Sequence, residues 1–318
     1  MTKIKCPICN SLQTENLFSV KDRFKISNQD FSLIKCPDCE INFTFPILDQ
    51  EEIKKFYPKV YSWKKEYKTP GCFTNFFRKL EERYVYHLLM YDTKCLLETI
   101  KERGEILDIG CGIGSRLEIF REMGFKKFSG IEPSDEAIYA KQIKKLPVKK
   151  ESLNECNFQE NSFNIITLYH VFEHLQDPIS SLKIIKKVLK PKGWLVLQIP
   201  NFGSYQAKFF KNKWFALDAP RHYFHYAPKT ISQILLQNNF EVKKIDQNTN
   251  FLHPVYWVLS SFLFLDPQSI WGKEEKGQSK IFYRILWIFF TLLSIPLAKL
   301  ENFLGKGGNM TIYAINKK

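Results

Sequence analysis

Acid is scarce in this sequence, an apolar leader is missing, and no glycine motif of the dinucleotide-binding type occurs. Asp and Glu number 33 against 47 Lys and Arg, a formal net charge of +14 over 318 residues. The imbalance points to an anionic partner (nucleic acid, an acidic membrane surface or a phosphorylated substrate) unless the lysines only solvate exposed faces. The opening residues Met-Thr-Lys-Ile-Lys-Cys hold no apolar signal region, so the expected compartment is cytoplasmic. Eight cysteines in that compartment are expected as reduced thiols or metal ligands, not disulfides. Two apolar blocks near the carboxyl end, 251–265 and 285–298, are short and broken by Pro254 and Pro296, which argues against a bilayer span. Apolar residues make up 44% of the chain, 28 of them Phe, enough for one large core and a smaller domain.

What is present starts with two cysteine pairs, Cys6-Pro-Ile-Cys9 and Cys36-Pro-Asp-Cys39. Each pair sits in a tight turn that can aim two thiolates at one point, and two such turns make the tetrahedral four-sulfur shell of a structural zinc. The strand-like stretch between them completes the pattern of a zinc ribbon. A closed four-thiolate shell leaves no position for a water, so the metal's expected role is folding, not catalysis. No concentrated Lys or Arg run flanks these turns, which makes nucleic acid the less favoured partner. Residues 73–103 then carry apolar side chains at helical spacing and read as a helical cover.

The centre of the chain is Glu105-Ile-Leu-Asp-Ile-Gly-Cys-Gly-Ile-Gly114. It reads as a buried strand, Ile106 to Ile109, running into a glycine turn that opens a helix at Ser115. Glycines at 110, 112 and 114 let backbone approach a ligand closely, and Asp108 stands at the strand's carboxyl end, where open α/β sheets bind ligands. A second strand, Phe128-Ser-Gly-Ile, ends at Glu132, a carboxylate able to accept hydrogen bonds from both hydroxyls of a ribose. A buried run, Phe163-Asn-Ile-Ile-Thr-Leu-Tyr169, leads into His170-Val-Phe-Glu-His174, and Leu189-Lys-Pro-Lys-Gly193 turns into a further strand.

Together these segments, from 105 to 201, resemble class I S-adenosylmethionine-dependent methyltransferases. The ribbon, with Phe45-Pro46 and the Tyr57/Tyr61 segment after it, resembles the front end of a bacterial group within that family. The resemblance implies an α/β fold with a Rossmann-like seven-stranded sheet, and S-adenosylmethionine as cofactor. It implies a cofactor wall of Asp108, Gly110, Cys111, Gly112, Gly114 and Glu132, with Cys111 as a small filler. The post-strand-four loop at His170 would lie beside the sulfonium. Where the family often carries an adenine-contacting Asp, this sequence has Ser152, flanked by Glu151. The His170/His174 pair lacks the His-Glu-x-x-His order of zinc proteases, and a metal is not expected there.

Past these strands the string Asp218-Ala-Pro-Arg221-His222 crowds polar groups of catalytic type among aromatics, and the same string occurs in the resembling bacterial proteins. His222 is the candidate base, Asp218 its orienting partner and Arg221 a clamp for an anionic acceptor group, with His174 on the substrate side. The alternative is that Arg221, His222, His174 and Glu173 only tie loops together. The expected organisation is a ribbon (1–48), a connector and helical cover (49–103), a methyltransferase core (104–250), a helical insertion (251–308) between strands six and seven, and a last core strand (309–318). The insertion would be a membrane-surface helical pair at the inner face of a membrane, or a lid or dimer contact. The expected function is methyl transfer to a small-molecule, sugar or lipid-linked acceptor. The alternatives are an RNA methyltransferase, or a zinc-ribbon binding or scaffold protein with a degenerate enzyme domain.

Overall fold

The computed structural model describes residues 4–57, 72–247, 252–262 and 278–318. Tyr61 of the connector and the polar stretch 266–277 lie outside the described residues. Near the amino terminus β1 (Glu15–Lys21) and β2 (Asp30–Lys35) form an antiparallel hairpin to which β3 (Asn42–Phe45) adds. Each cysteine pair closes its own tight turn. The Cys6 amide donates to Ser11 O at 2.8 Å and the Cys36 amide to Ile41 O at 2.9 Å. Asn10 and Glu40, one place after each pair, take left-handed φ angles of 64° and 57°.

Helix α1 (Gln50–Lys54) opens on a capping box in which Asp49 and Glu52 each accept from the other's backbone amide. α2 (Cys72–Thr99) is one continuous helix. The chain then alternates β4 (Ile106–Ile109), α3 (Ser115–Glu122), β5 (Phe128–Ile131), α4 (Glu136–Gln142), β6 (Val148–Lys149), β7 (Phe163–Tyr169), α5 (Pro178–Val188) and β8 (Leu189–Pro200). After it come α6 (Tyr205–Phe210), β9 (Phe224–His225), α7 (Pro228–Gln237), β10 (Phe240–Asp246), α8 (Leu252–Ser261), α9 (Gln278–Phe303) and β11 (Asn309–Asn316).

Seven strands form one sheet in the order β10-β11-β8-β7-β4-β5-β6. β11 runs antiparallel to both its neighbours, and β8, β7, β4, β5 and β6 are parallel. Every residue of β4 is buried, as a parallel strand covered on both faces requires. The side chains alternate between the two cores: Leu107 and Ile109 enter one cluster, Ile106 the other. β4 has β5 on one side and β7 on the other, so the strand order reverses there. The carboxyl ends at such a reversal leave a crevice for a ligand.

One local departure from the sequence expectation has a clear cause. The Lys-Pro-Lys-Gly turn is a bulge inside β8, not a turn before it: the pairing with β7 jumps from Phe163↔Leu189 to Ile165↔Trp194, and Lys192 has φ 61°. α4 starts at Glu136 with Asp135 at its N-cap, and Ser134 Oγ accepts from the Glu136 amide at 3.2 Å.

A second sheet, β1-β2-β3-β9, joins the amino-terminal hairpin to the core. β9 pairs antiparallel with β3 through Asn42↔His225 and Phe43↔Phe224. Thr44 N donates to Tyr223 O at 2.9 Å, and Thr44 Oγ1 donates to His222 O at 2.8 Å. Phe43, Ile34, Cys6 and Cys36 share one buried cluster with Leu107, Ile109 and Leu197 of the large sheet. Between β10 and β11, α8 and α9 pack on each other through Val258, Leu259, Trp287 and Phe290, with Phe262 stacked on Phe290 at 4.2 Å. α9 runs straight past Pro296, which costs it the hydrogen bond a residue there would donate to Leu292 O.

Candidate active site

The glycine turn after β4 builds the first wall. Gly110, Gly112 and Gly114 all have positive φ, 72°, 53° and 75°. At Gly110 the requirement is steric as well, because an added Cβ would stand 2.4 Å from Val171 Cγ2. The post-β7 loop is thereby seated directly on the glycine turn. Glu132 reaches back from the end of β5: Gly112 N donates to its Oε2 at 3.1 Å and Ser134 N to its Oε1 at 2.9 Å. Fixed acceptor oxygens at a strand end suit the hydroxyl pair of a ribose. The glycine turn, the carboxylate and the crevice therefore fit S-adenosylmethionine.

Asp108 is buried, and Thr167 Oγ1 donates to its Oδ1 at 2.6 Å. Burial outweighs the nearby Arg116 guanidinium and pushes its carboxyl up to about 6. Arg116 was not expected at the site. It pairs with Asp92 at 3.4 Å and lies over the Tyr169 ring, its Cζ 3.3 Å from the centroid. Cys111 is buried, its thiol pushed up chiefly by burial, so it has no thiolate character. Ser152 is held in its own turn, where its amide and Oγ both donate to Glu155 Oε2 at 2.8 and 2.7 Å.

The second wall follows β7. His170 has φ 55° and donates its amide to Gln198 O at 2.8 Å. Glu173 is 1% exposed, with neither carboxylate oxygen in a hydrogen bond; His170 Nδ1 lies 3.4 Å from Oε1. His174 and His222 meet edge to face with ring centroids 4.5 Å apart. His174 Nδ1 lies 3.0 Å from Arg221 O, and His222 Nδ1 lies 2.9 Å from Ala216 O. A carbonyl can only accept, so each Nδ1 carries a proton, and in a neutral ring the lone pair is then on Nε2. Burial, with His222 beside it, drops His174 to about 4, which leaves its ring neutral.

Two of the roles expected around His222 are corrected by this geometry. Arg221 cannot clamp an acceptor. Its side chain is fully buried, with Nε and Nη2 on Asp218, Nη2 also on Asp22 Oδ1 at 2.9 Å, and Nη1 donating to Phe56 O at 2.8 Å. Its guanidinium stacks on Phe24, 4.3 Å from the centroid. Asp218 does not orient His222, because its nearest oxygen is 4.0 Å from Nε2. Ala216 O does the orienting. Asp218 serves Arg221 instead, and that guanidinium holds its carboxyl down at about 2 against the pull of burial.

At the amino terminus the Sγ atoms of Cys6 and Cys39 are 3.6 Å apart and those of Cys9 and Cys36 3.5 Å. Four thiolates about 2.3 Å from one zinc would stand roughly 3.8 Å apart, so the cluster is compatible with zinc. In the insertion, Ile285–Phe303 is a helical stretch of 19 residues long and apolar enough, by length and composition, to cross a membrane. Only 17% of the window that qualifies is buried.

A family model described as a methyltransferase domain matches residues 81–245. An uncharacterized methyltransferase of Schizosaccharomyces pombe is 33% identical over 119 residues, 31% of this chain and 41% of that protein. The ubiquinone biosynthesis O-methyltransferase of Nitrosospira multiformis is 28% identical over 108 residues, 30% of this chain and 43% of that protein. The tRNA U34 carboxymethyltransferase of Pseudoalteromonas translucida is 35% identical over 112 residues, 32% of this chain and 33% of that protein. The chain thus spans less than half the length of these relatives. Among solved structures, a SAM-dependent methyltransferase from Archaeoglobus fulgidus is 20% identical with a TM-score of 0.47, covering 75% of this chain and 99% of that one.

Proposed function

The chain belongs to the methyltransferase-domain family, and from that premise we propose that it is a class I S-adenosylmethionine-dependent methyltransferase acting on a small-molecule, sugar or lipid-linked acceptor. The observation that carries the proposal is Glu132 bonded to the Gly112 amide at the reversal of strand order, with the His174/His222 pair on the adjoining loop. The cofactor supplies an electrophilic methyl on a sulfonium. Gly110, Gly112 and Gly114 give backbone access to it, Glu132 takes the ribose hydroxyls, and His170 and Val171 close the far side. The relatives named for O-methylation in ubiquinone biosynthesis favour a hydroxyl acceptor. Such an acceptor must lose a proton, and the open Nε2 atoms of His174 and His222 are where it does so, either directly to the His222 ring or by the route argued below.

Calorimetric titration of the purified chain with S-adenosylmethionine should show one site per chain, and Glu132→Ala should weaken it at least tenfold. Unchanged affinity in that variant would remove the ribose role. Mass-shift comparison of metabolites and lipids from a deletion strain would then identify the acceptor. Retention of nucleic acid that is lost as salt rises would instead favour the RNA reading, which the +14 charge supports.

Two further parts belong to this reading. The four cysteines hold a structural zinc. The insertion lies on an anionic phospholipid surface, an occupant chosen because the chain is strongly basic and α9 exposes Ile285, Phe289, Leu292, Leu293, Leu297, Leu300 and Phe303 along one side. Flotation with anionic liposomes at low salt should carry the full chain and not a variant lacking 278–303. Failure to float ends the membrane reading, and concentration-dependent dimerisation through the same stripe would replace it.

A further inference from the structure

Glu173 poses a problem that hydrogen bonding among the described residues does not solve. A carboxylate removed from water is held by donors or cations, because an isolated buried charge is costly. Here both oxygens lack a hydrogen-bond partner among the described residues, with His170 Nδ1 3.4 Å from Oε1.

Ring nitrogens of two histidines lie close to this carboxylate. The Nδ1 atoms of His174 and His222 are committed to Arg221 O and Ala216 O. Backbone carbonyls that fix one ring nitrogen and leave the other as a lone pair are the usual outer shell of metal-binding histidines. The donor atoms of Glu173, His174 and His222 all lie within 4.8 Å of one another. Ligands about 2.1 Å from one ion in a tetrahedral shell stand roughly 3.4 Å apart, so closing onto an ion requires a contraction of at most about 1.4 Å.

We propose that Glu173, His174 and His222 form a second metal site, distinct from the cysteine cluster, that takes a divalent first-row transition ion. Two imidazoles and one carboxylate are the donor set of open sites for zinc and ferrous iron, with positions left for outside oxygen ligands. His170 Nδ1, 3.4 Å from Glu173 Oε1, stands beside the carboxylate as its neighbour in the same loop. The sequence concealed the site because its three ligands do not share a segment: Glu173 and His174 follow β7, while His222 precedes β9. His170 and His174 are the pair the spacing brings to mind, but the structure pairs His174 with His222.

The inference rests on the methyltransferase reading only for what the ion does there. On that reading an oxygen-bearing acceptor fills an open position, its hydroxyl is acidified and the proton leaves to water. His222 is then a ligand and not the base.

The test is a metal count on the full chain with its cysteine cluster already filled by zinc. Titrated with Co2+, it should take up one further equivalent with a nitrogen/oxygen-type spectrum and no thiolate charge-transfer band. Glu173→Gln and His222→Gln should each lose that equivalent while keeping the cysteine-bound zinc and S-adenosylmethionine binding. No further uptake by the unaltered chain, or uptake that persists in both variants, overturns the site. The unaltered chain decides the matter even where a variant fails to fold. S-adenosylmethionine binding is read separately, so failure of the metal site and failure of the methyltransferase reading are distinguishable.

Discussion

The ion pair between Asp22 and Arg221 makes the amino-terminal sheet part of the active site, and it can be broken. Asp22 sits just after β1, and its side chain accepts from the amides of Phe24 at 3.0 Å and Ile26 at 2.8 Å. Its Oδ1 also meets Arg221 Nη2 at 2.9 Å with both side chains fully buried. Arg221 leads directly into His222 and β9, the strand that pairs with β3. Replacing Arg221 with Met leaves Asp22 and Asp218 as buried carboxylates without their cation, a loss of about 3–5 kcal/mol. Against a total stability of roughly 5–15 kcal/mol that is a large fraction, and at the low end of the range it would leave much of the protein unfolded. Asp22→Asn is the gentler probe. It keeps one oxygen for the turn amides and leaves Asp218 on the arginine, so the expected loss is about 1.5–3 kcal/mol, the range for a hydrogen bond to a charged group. The assay is denaturant unfolding of wild type, Asp22→Asn, Arg221→Met and the double variant, with S-adenosylmethionine affinity and acceptor turnover measured alongside. The double variant should lose less than the sum of the singles, and Asp22→Asn should lower turnover with little change in cofactor affinity, because the glycine turn is remote from the pair. Additive losses, or an Asp22→Asn change below about 0.5 kcal/mol as at an ordinary surface position, would refute the coupling.

Three other outcomes are expected. Asp108 has its folded value raised to about 6, so the folded state binds its proton more tightly than the unfolded chain. Stability should therefore fall as pH rises from roughly 4 to 6, by about 3 kcal/mol, and stay low above that; Asp108→Asn should abolish that slope and raise the melting temperature at pH 7.5 relative to wild type. Gly110→Ala places a Cβ 2.4 Å from Val171 Cγ2 at a φ of 72° and should cost about 2–4 kcal/mol from overpacking and the left-handed backbone together, with partial recovery of the melting temperature in Gly110→Ala/Val171→Ala. Cys36→Ser, or a zinc chelator, should remove the metal from the cysteine cluster and lower acceptor turnover as well, because β3 carries β9; full turnover in a zinc-free chain would separate the two.

How much of this the sequence displayed depends on how far apart the partners are along the chain. The β4 strand, its glycines and Glu132 were legible because the pattern is local: an apolar run, a turn that needs positive φ, and an acid at the next strand's end. The four cysteines were legible as a group because the two spacings call for one shared point, and the structure brings them together in a cluster compatible with zinc. Arg221 was misread because a positive side chain among aromatics looks like a clamp until Asp22, far away in the chain, is seen to occupy it. Thr44 carried no signal of its own in the sequence, yet it joins His222 O to His225 Nε2, accepting at 3.0 Å from the ring. His225 is fully buried and held neutral, its value dropped to about 3 chiefly by burial, so this joint is fixed and uncharged. Pro296 suggested a break in the apolar block, yet α9 continues, since one missing rung is tolerated where Ser294 Oγ and the packing on α8 hold the helix.

These long-range contacts share a direction. The glycine turn and the hydrogen bonds of Glu132 are built within the parallel sheet and its loops, while Ile109 shares a buried cluster with Phe43 and Cys36. The acceptor side is different: Asp22, Thr44 and Phe56 all come from before residue 58 and fix Arg221, His222 and His225. On the proposed function, cofactor binding and acceptor handling would then rest largely on separate parts of the chain. A perturbation of the cysteine-bearing sheet should therefore change kcat and the acceptor KM while leaving S-adenosylmethionine affinity near its starting value. A parallel loss of cofactor affinity in Asp22→Asn or Cys36→Ser would show that the division is wrong.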